Sequence, residues 1–207
     1  MRSRRISRCR PGNLHTLPDT LDDVAAVLVE PTAAACQILT QVDIGRRTRV
    51  AVVGDGRMAL LVGQVLRTTG ADVTLFGKHD RKLQVARDLG LDARLSTDEV
   101  PASTFDITVD VTGRPTGLTR AMELVRPRGT VVMKSTFHGD TPITLWPAVV
   151  DEVILVGSRC DPFDEAIALL AGGQVHTSPP VAGTYPIEDF AAAFTAARSE
   201  LKMLLRP

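Results

Sequence analysis

The chain has 207 residues, of which 44% are hydrophobic and 23% charged, the balance of an ordinary globular protein. Its 24 basic and 24 acidic side chains cancel, and only 4% of the residues are aromatic, so we expect no nucleic-acid partner. No apolar run approaches the roughly 18 residues that a membrane span requires, so we also expect no membrane partner.

The basic residues are unevenly distributed along the chain. Five arginines and no acidic residue lie within the first ten residues. We interpret residues 1–12 as a basic, disordered leader; an electrostatic arm and a transit segment are the alternatives. The cysteines Cys9, Cys36 and Cys160 show no disulfide or metal-ligand spacing, which favours a reducing, cytoplasmic compartment.

Residues 13–48 are predicted to form a helical lead-in. The pattern of Leu21–Glu30 is typical of a helix that Pro31 ends or kinks, and Ala33–Val42 has the pattern of a second helix. Proline is tolerated in the first turn of a helix, where its missing N–H has no helical partner.

From residue 49 to residue 177, short β-branched runs alternate with helical repeats. The predicted strands are Arg49–Val53, Asp72–Phe76, Ala93–Leu95, Phe105–Val111, Thr130–Met133 and Glu152–Val156. This alternation predicts an α/β fold, a doubly wound parallel sheet of about six strands. Residues 178–207 are predicted to add a helix, Ile187–Arg198, and a strand, Leu201–Leu205.

A glycine-rich turn follows the first predicted strand and opens a helix. Its residues, Gly54, Asp55, Gly56, Arg57, Met58 and Ala59, fit the pattern G-x-G-x-x-G/A of Rossmann dinucleotide sites. The first glycine permits a tight turn, the second lets a pyrophosphate approach the backbone, and Ala59 allows close helix–strand packing. A purely structural turn and a class I methyltransferase are the alternatives, although a methyltransferase usually needs an acid after the second strand.

The end of the second predicted strand bears on cofactor choice. NAD-specific sites typically place Asp or Glu about 20 residues after the glycines, where it binds the ribose 2′-OH. Here Gly77 stands at that point, and Lys78, His79 and Arg81 follow it. This composition favours NADP(H), because a 2′-phosphate would meet cations. NAD(H) remains open, because Asp80 lies in the same turn and these cations could simply be solvated.

Several segments together resemble the medium-chain dehydrogenase/reductase superfamily, in its zinc-dependent polyol- and threonine-dehydrogenase-like branch. They are Leu17–Asp19, Val29–Pro31, the glycine turn, Val109–Gly113, Lys134–Thr136 and Val156–Arg159. The resemblance implies that Thr112, Gly113, Lys134, Ser135 and Thr136 line the cofactor site. It also implies that Glu30 matches a position that can coordinate catalytic zinc.

The resemblance implies a catalytic domain ahead of this segment, with a zinc ion and usually a G-H-E segment. This sequence has no G-H-E segment and no Cys/His pair at metal spacing. We therefore expect no bound zinc, Glu30 as an orphan ligand position, and no catalytic residue. The C-terminal helix and strand are interpreted as a remnant of that domain. Without the rest of the domain, this segment would expose the apolar side chains of Phe190, Phe194, Leu201 and Leu204.

The resemblance further implies hydride transfer between an alcohol and NAD(P)+ as the parent reaction, and a homodimer formed through the strand 152–156. We interpret the chain as an NADP(H)-binding oxidoreductase-family protein with impaired or absent catalysis. A non-enzymatic NAD(P)-binding module, or a subunit that needs a partner, is the alternative from a different class. A misplaced start codon would also explain the missing domain.

Overall fold

The computed structural model describes residues 14–136, 143–178 and 180–206. The predicted leader, residues 1–12, lies outside the described residues. In the described ranges, no helix is long and apolar enough to cross a membrane.

Strands and helices alternate through most of the chain. The strands are Arg49–Val53 (β1), Asp72–Gly77 (β2), Asp92–Leu95 (β3), Phe105–Asp110 (β4), Val125–Met133 (β5), Ile154–Gly157 (β6), Gly183–Pro186 (β7) and Met203–Arg206 (β8). The helices are Asp23–Val27 (α1), Val29–Gln41 (α2), Arg57–Arg67 (α3), Asp80–Asp88 (α4), Pro115–Leu124 (α5), Trp146–Val150 (α6), Phe163–Ala171 (α7) and Phe190–Ala196 (α8), with a 3₁₀ turn at Ile187–Asp189.

Six of these strands form one sheet in the order β3-β2-β1-β4-β5-β6. Every neighbouring pair in it is parallel. The chain runs outward from β1 first in one direction and then in the other, so the order reverses between β1 and β4. This arrangement is the doubly wound Rossmann fold, and the predicted six-stranded parallel sheet is confirmed.

The core lies on both faces of the sheet because successive residues of a strand point to opposite faces. Val50 and Val52 of β1 pack in a cluster with α2, α3, α4 and α7. Ala51 and Val53 pack in a second cluster with α5. Burial on both faces explains why the strands are nearly continuous apolar runs.

The prediction that Pro31 ends or kinks the first helix is wrong. The break falls at Leu28, between α1 and α2, and Pro31 is the third residue of α2. The first N–H groups of a helix have no partner inside it, so proline in this turn removes no hydrogen bond.

Two further elements differ from the sequence-based expectation. The last strand of the sheet begins at Ile154, and Glu152 adopts a φ of 52°, which is outside the extended region. The C-terminal segment contains an additional strand, β7, which pairs in parallel with β8. The predicted tail helix is shorter than expected and begins with the 3₁₀ turn.

Candidate functional site

A cavity of about 580 Å³ opens at the carboxyl ends of β1, β2 and β4, beside the point where strand order reverses. Its walls come from the glycine turn, the β2–α4 turn and α5. In open parallel sheets, ligands bind in this crevice, because the connections diverge there and leave room between them.

The two glycines of the turn have different constraints. Gly54 has a φ of 139°, and a Cβ atom on it would lie 2.9 Å from Val111 Cγ2. Gly56 precedes α3 with φ −83°, and a Cβ atom there would meet nothing within 4 Å. Gly54 is therefore required by the protein itself, whereas the open space at Gly56 lies free for a ligand.

The space at Gly56 faces the start of α3. In the described part of the chain, no side chain caps this helix, so its first N–H groups are free to bind an anion. Ala59 is fully buried and Met58 packs against the core, which holds the helix close to the sheet. Arg57, the first residue of the helix, is exposed.

Asp55 connects the glycine turn to the turn that follows β2. Its Oδ2 accepts hydrogen bonds from the backbone N–H groups of Lys78 and His79, at 2.7 and 2.8 Å, and lies 2.9 Å from His79 Nδ1. Burial raises the pKa of Asp55, but the hydrogen bonds from His79 and Lys78 outweigh it, so the pKa is lowered overall. Asp55 is therefore ionised at neutral pH.

Gly77 ends β2 directly beside Asp55. A Cβ atom on Gly77 would lie 2.5 Å from Asp55 Cβ, so no larger residue fits there while Asp55 is in place. The side chains of Lys78 and His79 are exposed and line the cavity. Arg81, predicted to join them, is not among the lining residues; its Nη2 lies 2.5 Å from Glu200 Oε2.

The ends of β4 and β5 lie side by side, and of the five residues that the resemblance implies there, Thr112 alone is among the cavity-lining residues. Thr112 donates its backbone N–H (3.0 Å) and its hydroxyl (2.8 Å) to Oδ1 of the buried Asp110. The Gly113 N–H donates to Ser135 Oγ at 2.8 Å, so Thr112, Gly113 and Ser135 form one hydrogen-bonded edge. Thr136 is exposed next to it.

Lys134 is half-buried at the end of β5. Its ammonium donates to Ser158 Oγ at 3.1 Å and to the Arg159 carbonyl oxygen. Burial lowers the pKa of Lys134 to about 8, against the opposing influence of Cys160 and Glu30. The ammonium group is therefore held by oxygen atoms of the two residues that follow Gly157, the last residue of β6.

Glu30 lies in the first turn of α2 and is exposed. Cys160 Sγ approaches its carbonyl oxygen at 3.6 Å. Over residues 14–136, 143–178 and 180–206, no three His, Cys, Asp or Glu side chains lie close enough together to hold a metal ion. The described residues therefore do not provide the three ligands that a zinc site needs around Glu30.

Three basic residues that line the cavity, Lys82, Arg114 and Arg120, were missed from the sequence. Lys82 lines the cavity one turn after Lys78, a spacing that could have indicated it. Arg120 lines it from α5, and its Nε is buried without a protein partner. Burial and the charge of Arg57 lower the pKa of Lys202; only the fold brings these two residues near each other.

Comparison with known proteins identifies the family. A family model described as zinc-binding dehydrogenase matches residues 58–172, more than half of the chain. The chain belongs to the zinc-binding dehydrogenase family. This assignment confirms the resemblance stated from the sequence.

Relatives in this family are longer than the chain. A sorbitol dehydrogenase from Halalkalibacterium halodurans is 26% identical over 216 residues, which cover 96% of this chain and 63% of that protein. The chain thus spans less than two thirds of the length of this curated relative.

Two solved structures share the fold. A zinc-binding dehydrogenase from Sinorhizobium meliloti 1021, bound to NADP, matches with a TM-score of 0.83 at 23% identity, over 92% of this chain and 61% of that one. A short chain alcohol dehydrogenase from Escherichia coli CFT073, complexed with NADH, matches with a TM-score of 0.84 at 20% identity, over 95% and 63%.

Proposed function

We propose that the chain binds a nicotinamide dinucleotide across the carboxyl edge of its sheet. The observation on which this rests is the open space at Gly56, between the uncapped start of α3 and the adjacent cavity. The pyrophosphate would bind the free N–H groups of α3. The cavity beyond β2 would then hold the adenosine end. The cofactors named for the two solved structures support this proposal.

The other end of the cofactor would lie at the edge formed by Thr112, Gly113 and Ser135, with Lys134 beside it. The chemistry that the nicotinamide supplies when bound is hydride transfer. The parent reaction that we propose is the oxidation of an alcohol, in line with the sorbitol dehydrogenase relative. Around Glu30 the described residues do not fit a zinc ion, so we propose impaired or absent catalysis by this chain alone.

We propose a preference for NADP(H) over NAD(H). Gly77 leaves no acid at the end of β2, and Lys78, His79 and Lys82 line the cavity there. Cations at this point favour a 2′-phosphate. The NAD(H) alternative has support from Asp55, because its carboxylate is negative and lies in the same wall.

A second candidate is a non-enzymatic nucleotide-binding subunit whose partner covers the C-terminal segment. Phe190 and Phe194 of α8 are 56% and 69% exposed, which is the apolar surface expected for a contact. Leu204, predicted to share this exposure, is instead buried. A protein that binds nucleotide tightly but oxidises no alcohol, and that forms a complex lost on Phe194→Glu, would favour this candidate.

We also propose a homodimer through the edge of the sheet. Ile154 of β6, the edge strand, is 57% exposed, and Trp146 and Val149 of α6, the helix that precedes β6 in the chain, are 65% and 79% exposed. An edge strand with unpaired backbone groups can pair with its copy across a two-fold axis. The scattered cysteines continue to favour a cytoplasmic location.

Calorimetric titration with NADPH, NADH and S-adenosylmethionine, carried out at one fixed salt concentration, tests the proposed function. We expect NADPH to bind at least about tenfold more tightly than NADH, a difference of about 1.4 kcal/mol, with no binding of S-adenosylmethionine. Equal binding of the two dinucleotides contradicts the NADP(H) preference alone. Binding of neither by the folded chain contradicts the proposed function.

A further inference from the structure

We propose that Asp55 is a positioning residue for cofactor choice. Its carboxylate fixes the β2–α4 turn in the form that presents Lys78 and His79 to a 2′-phosphate. The inference rests on the proposed function.

The contacts of Asp55 converge on a single oxygen. Oδ2 receives the N–H groups of Lys78 and His79 and faces the His79 ring, at 2.7, 2.8 and 2.9 Å. The Asp55 side chain is only 13% exposed. His79 is the residue immediately before α4, and its own side chain does not cap that helix. Asp55 therefore holds both the backbone before α4 and the orientation of the His79 ring.

Asp55 and an acid at the end of β2 exclude each other. A Cβ atom on Gly77 would lie 2.5 Å from Asp55 Cβ and 2.8 Å from Asp55 Oδ2. The NAD-type arrangement, in which the acid at the end of β2 binds the ribose hydroxyl, thus requires the loss of Asp55. Asp55 thus provides two of the three close contacts that a side chain at Gly77 would make; the third is Leu83 Cδ2, at 2.9 Å.

The opposite interpretation gives Asp55 the role of the missing acid, so that it accepts the ribose 2′-OH and repels a phosphate. We favour positioning, because three donors already face Oδ2 and little of the side chain is exposed. The cationic side chain of Lys78 and the His79 ring, in contrast, line the cavity. The two interpretations predict opposite changes in cofactor preference when the Asp55 charge is removed.

The test compares Asp55→Asn with the matched control Asp22→Asn. Asp22 accepts the Ala25 N–H at 2.8 Å at the start of α1, away from the cavity. Dissociation constants for NADPH and NADH are measured by calorimetry on both variants and on the unsubstituted chain. We expect Asp55→Asn to weaken NADPH binding about tenfold and NADH binding less than about threefold, while the control changes neither.

Three results for Asp55→Asn would overturn the inference while the proposed function stands: tighter NADPH binding, an equal loss of affinity for NADPH and NADH, or no change in either affinity. If the unsubstituted chain binds neither dinucleotide, both fail together. The amide proton shifts of Lys78 and His79, measured by NMR without nucleotide, must also change in Asp55→Asn; unchanged shifts would overturn the inference.

A double variant keeps the inference testable if Asp55→Asn does not fold. Asp55→Gly with Gly77→Asp moves the carboxylate to the end of β2 and removes the contact with the Asp55 side chain, which leaves a contact with Leu83 Cδ2 at 2.9 Å, the end of a flexible side chain. We expect it to bind NADH more tightly than NADPH, whereas Gly77→Asp alone should lower the melting temperature. A double variant that still prefers NADPH would overturn the inference.

Discussion

Replacing Gly56 with alanine separates cofactor binding from folding. The backbone at Gly56, φ −83° and ψ 178°, is open to any residue, and the added methyl group would contact no protein atom within 4 Å. A weaker helix start costs up to about 1 kcal/mol, and the less flexible unfolded chain returns about 0.4–1 kcal/mol. We therefore expect the free energy of unfolding to change by less than about 1 kcal/mol.

The same methyl group would occupy the space in which the pyrophosphate approaches α3. Losing one charge-assisted hydrogen bond costs about 1.5–3 kcal/mol, which weakens NADPH binding roughly 10- to 150-fold. Calorimetric titration measures this change, and urea unfolding checks the stability. Gly45→Ala is the control, because Gly45 also has open space around it but does not line the cavity. Unchanged NADPH affinity in Gly56→Ala would show that the pyrophosphate does not bind beside Gly56.

Three other measurements test separate parts of the structure. The buried Gln64 side chain accepts a hydrogen bond from the His176 N–H (2.7 Å) and donates one to the His176 carbonyl oxygen (3.2 Å). Gln64→Leu should therefore lower the free energy of unfolding by about 2 kcal/mol. A loss below about 0.5 kcal/mol in urea titrations would contradict this prediction. The pKa of Lys134 falls to about 8 in the folded chain, so the unfolded chain binds more protons between about pH 8 and pH 10.5, and stability should rise with pH across that window. Urea unfolding at pH 8 and pH 10.5 should show a smaller rise in stability for Lys134→Met than for the unsubstituted chain. Equal rises in the two proteins would contradict the lowered pKa of Lys134. Trp146→Glu and Ile154→Glu should each convert a dimer into a monomer in sedimentation experiments; an unsubstituted chain that is monomeric at high concentration would exclude the dimer.

The sheet and the glycine turn could be predicted from the sequence because their signals are local. β1, the turn and the start of α3 are continuous in the chain, so the strand pattern, the glycines and the helical repeat indicate one another. Lys78 and His79 could be placed at the cavity because they directly follow β2. The strand order seen in the structure, β3-β2-β1-β4-β5-β6, is the one that classic doubly wound folds adopt.

The remaining features depend on contacts between distant residues. The pairing of Arg81 with Glu200 joins positions 119 residues apart, and no local pattern indicates that Arg81 turns away from the cavity. The Asp55 contacts join two turns 23 and 24 residues apart. Strand β7 has only four residues and ends in proline, so its pairing with β8 determines that it is a strand. Proline fits only the first turn of a helix, so the place of Pro31 in α2 could be known only once the start of α2 at Val29 was known.

A crystal structure of the chain with NADPH tests whether the dinucleotide binds at the glycine turn. We expect the pyrophosphate to lie against Gly56 and the first N–H groups of α3, and the adenosine 2′-phosphate to lie beside Lys78 and His79. A dinucleotide bound elsewhere on the chain, or a glycine turn that stays empty at saturating NADPH, would contradict the proposed cofactor site.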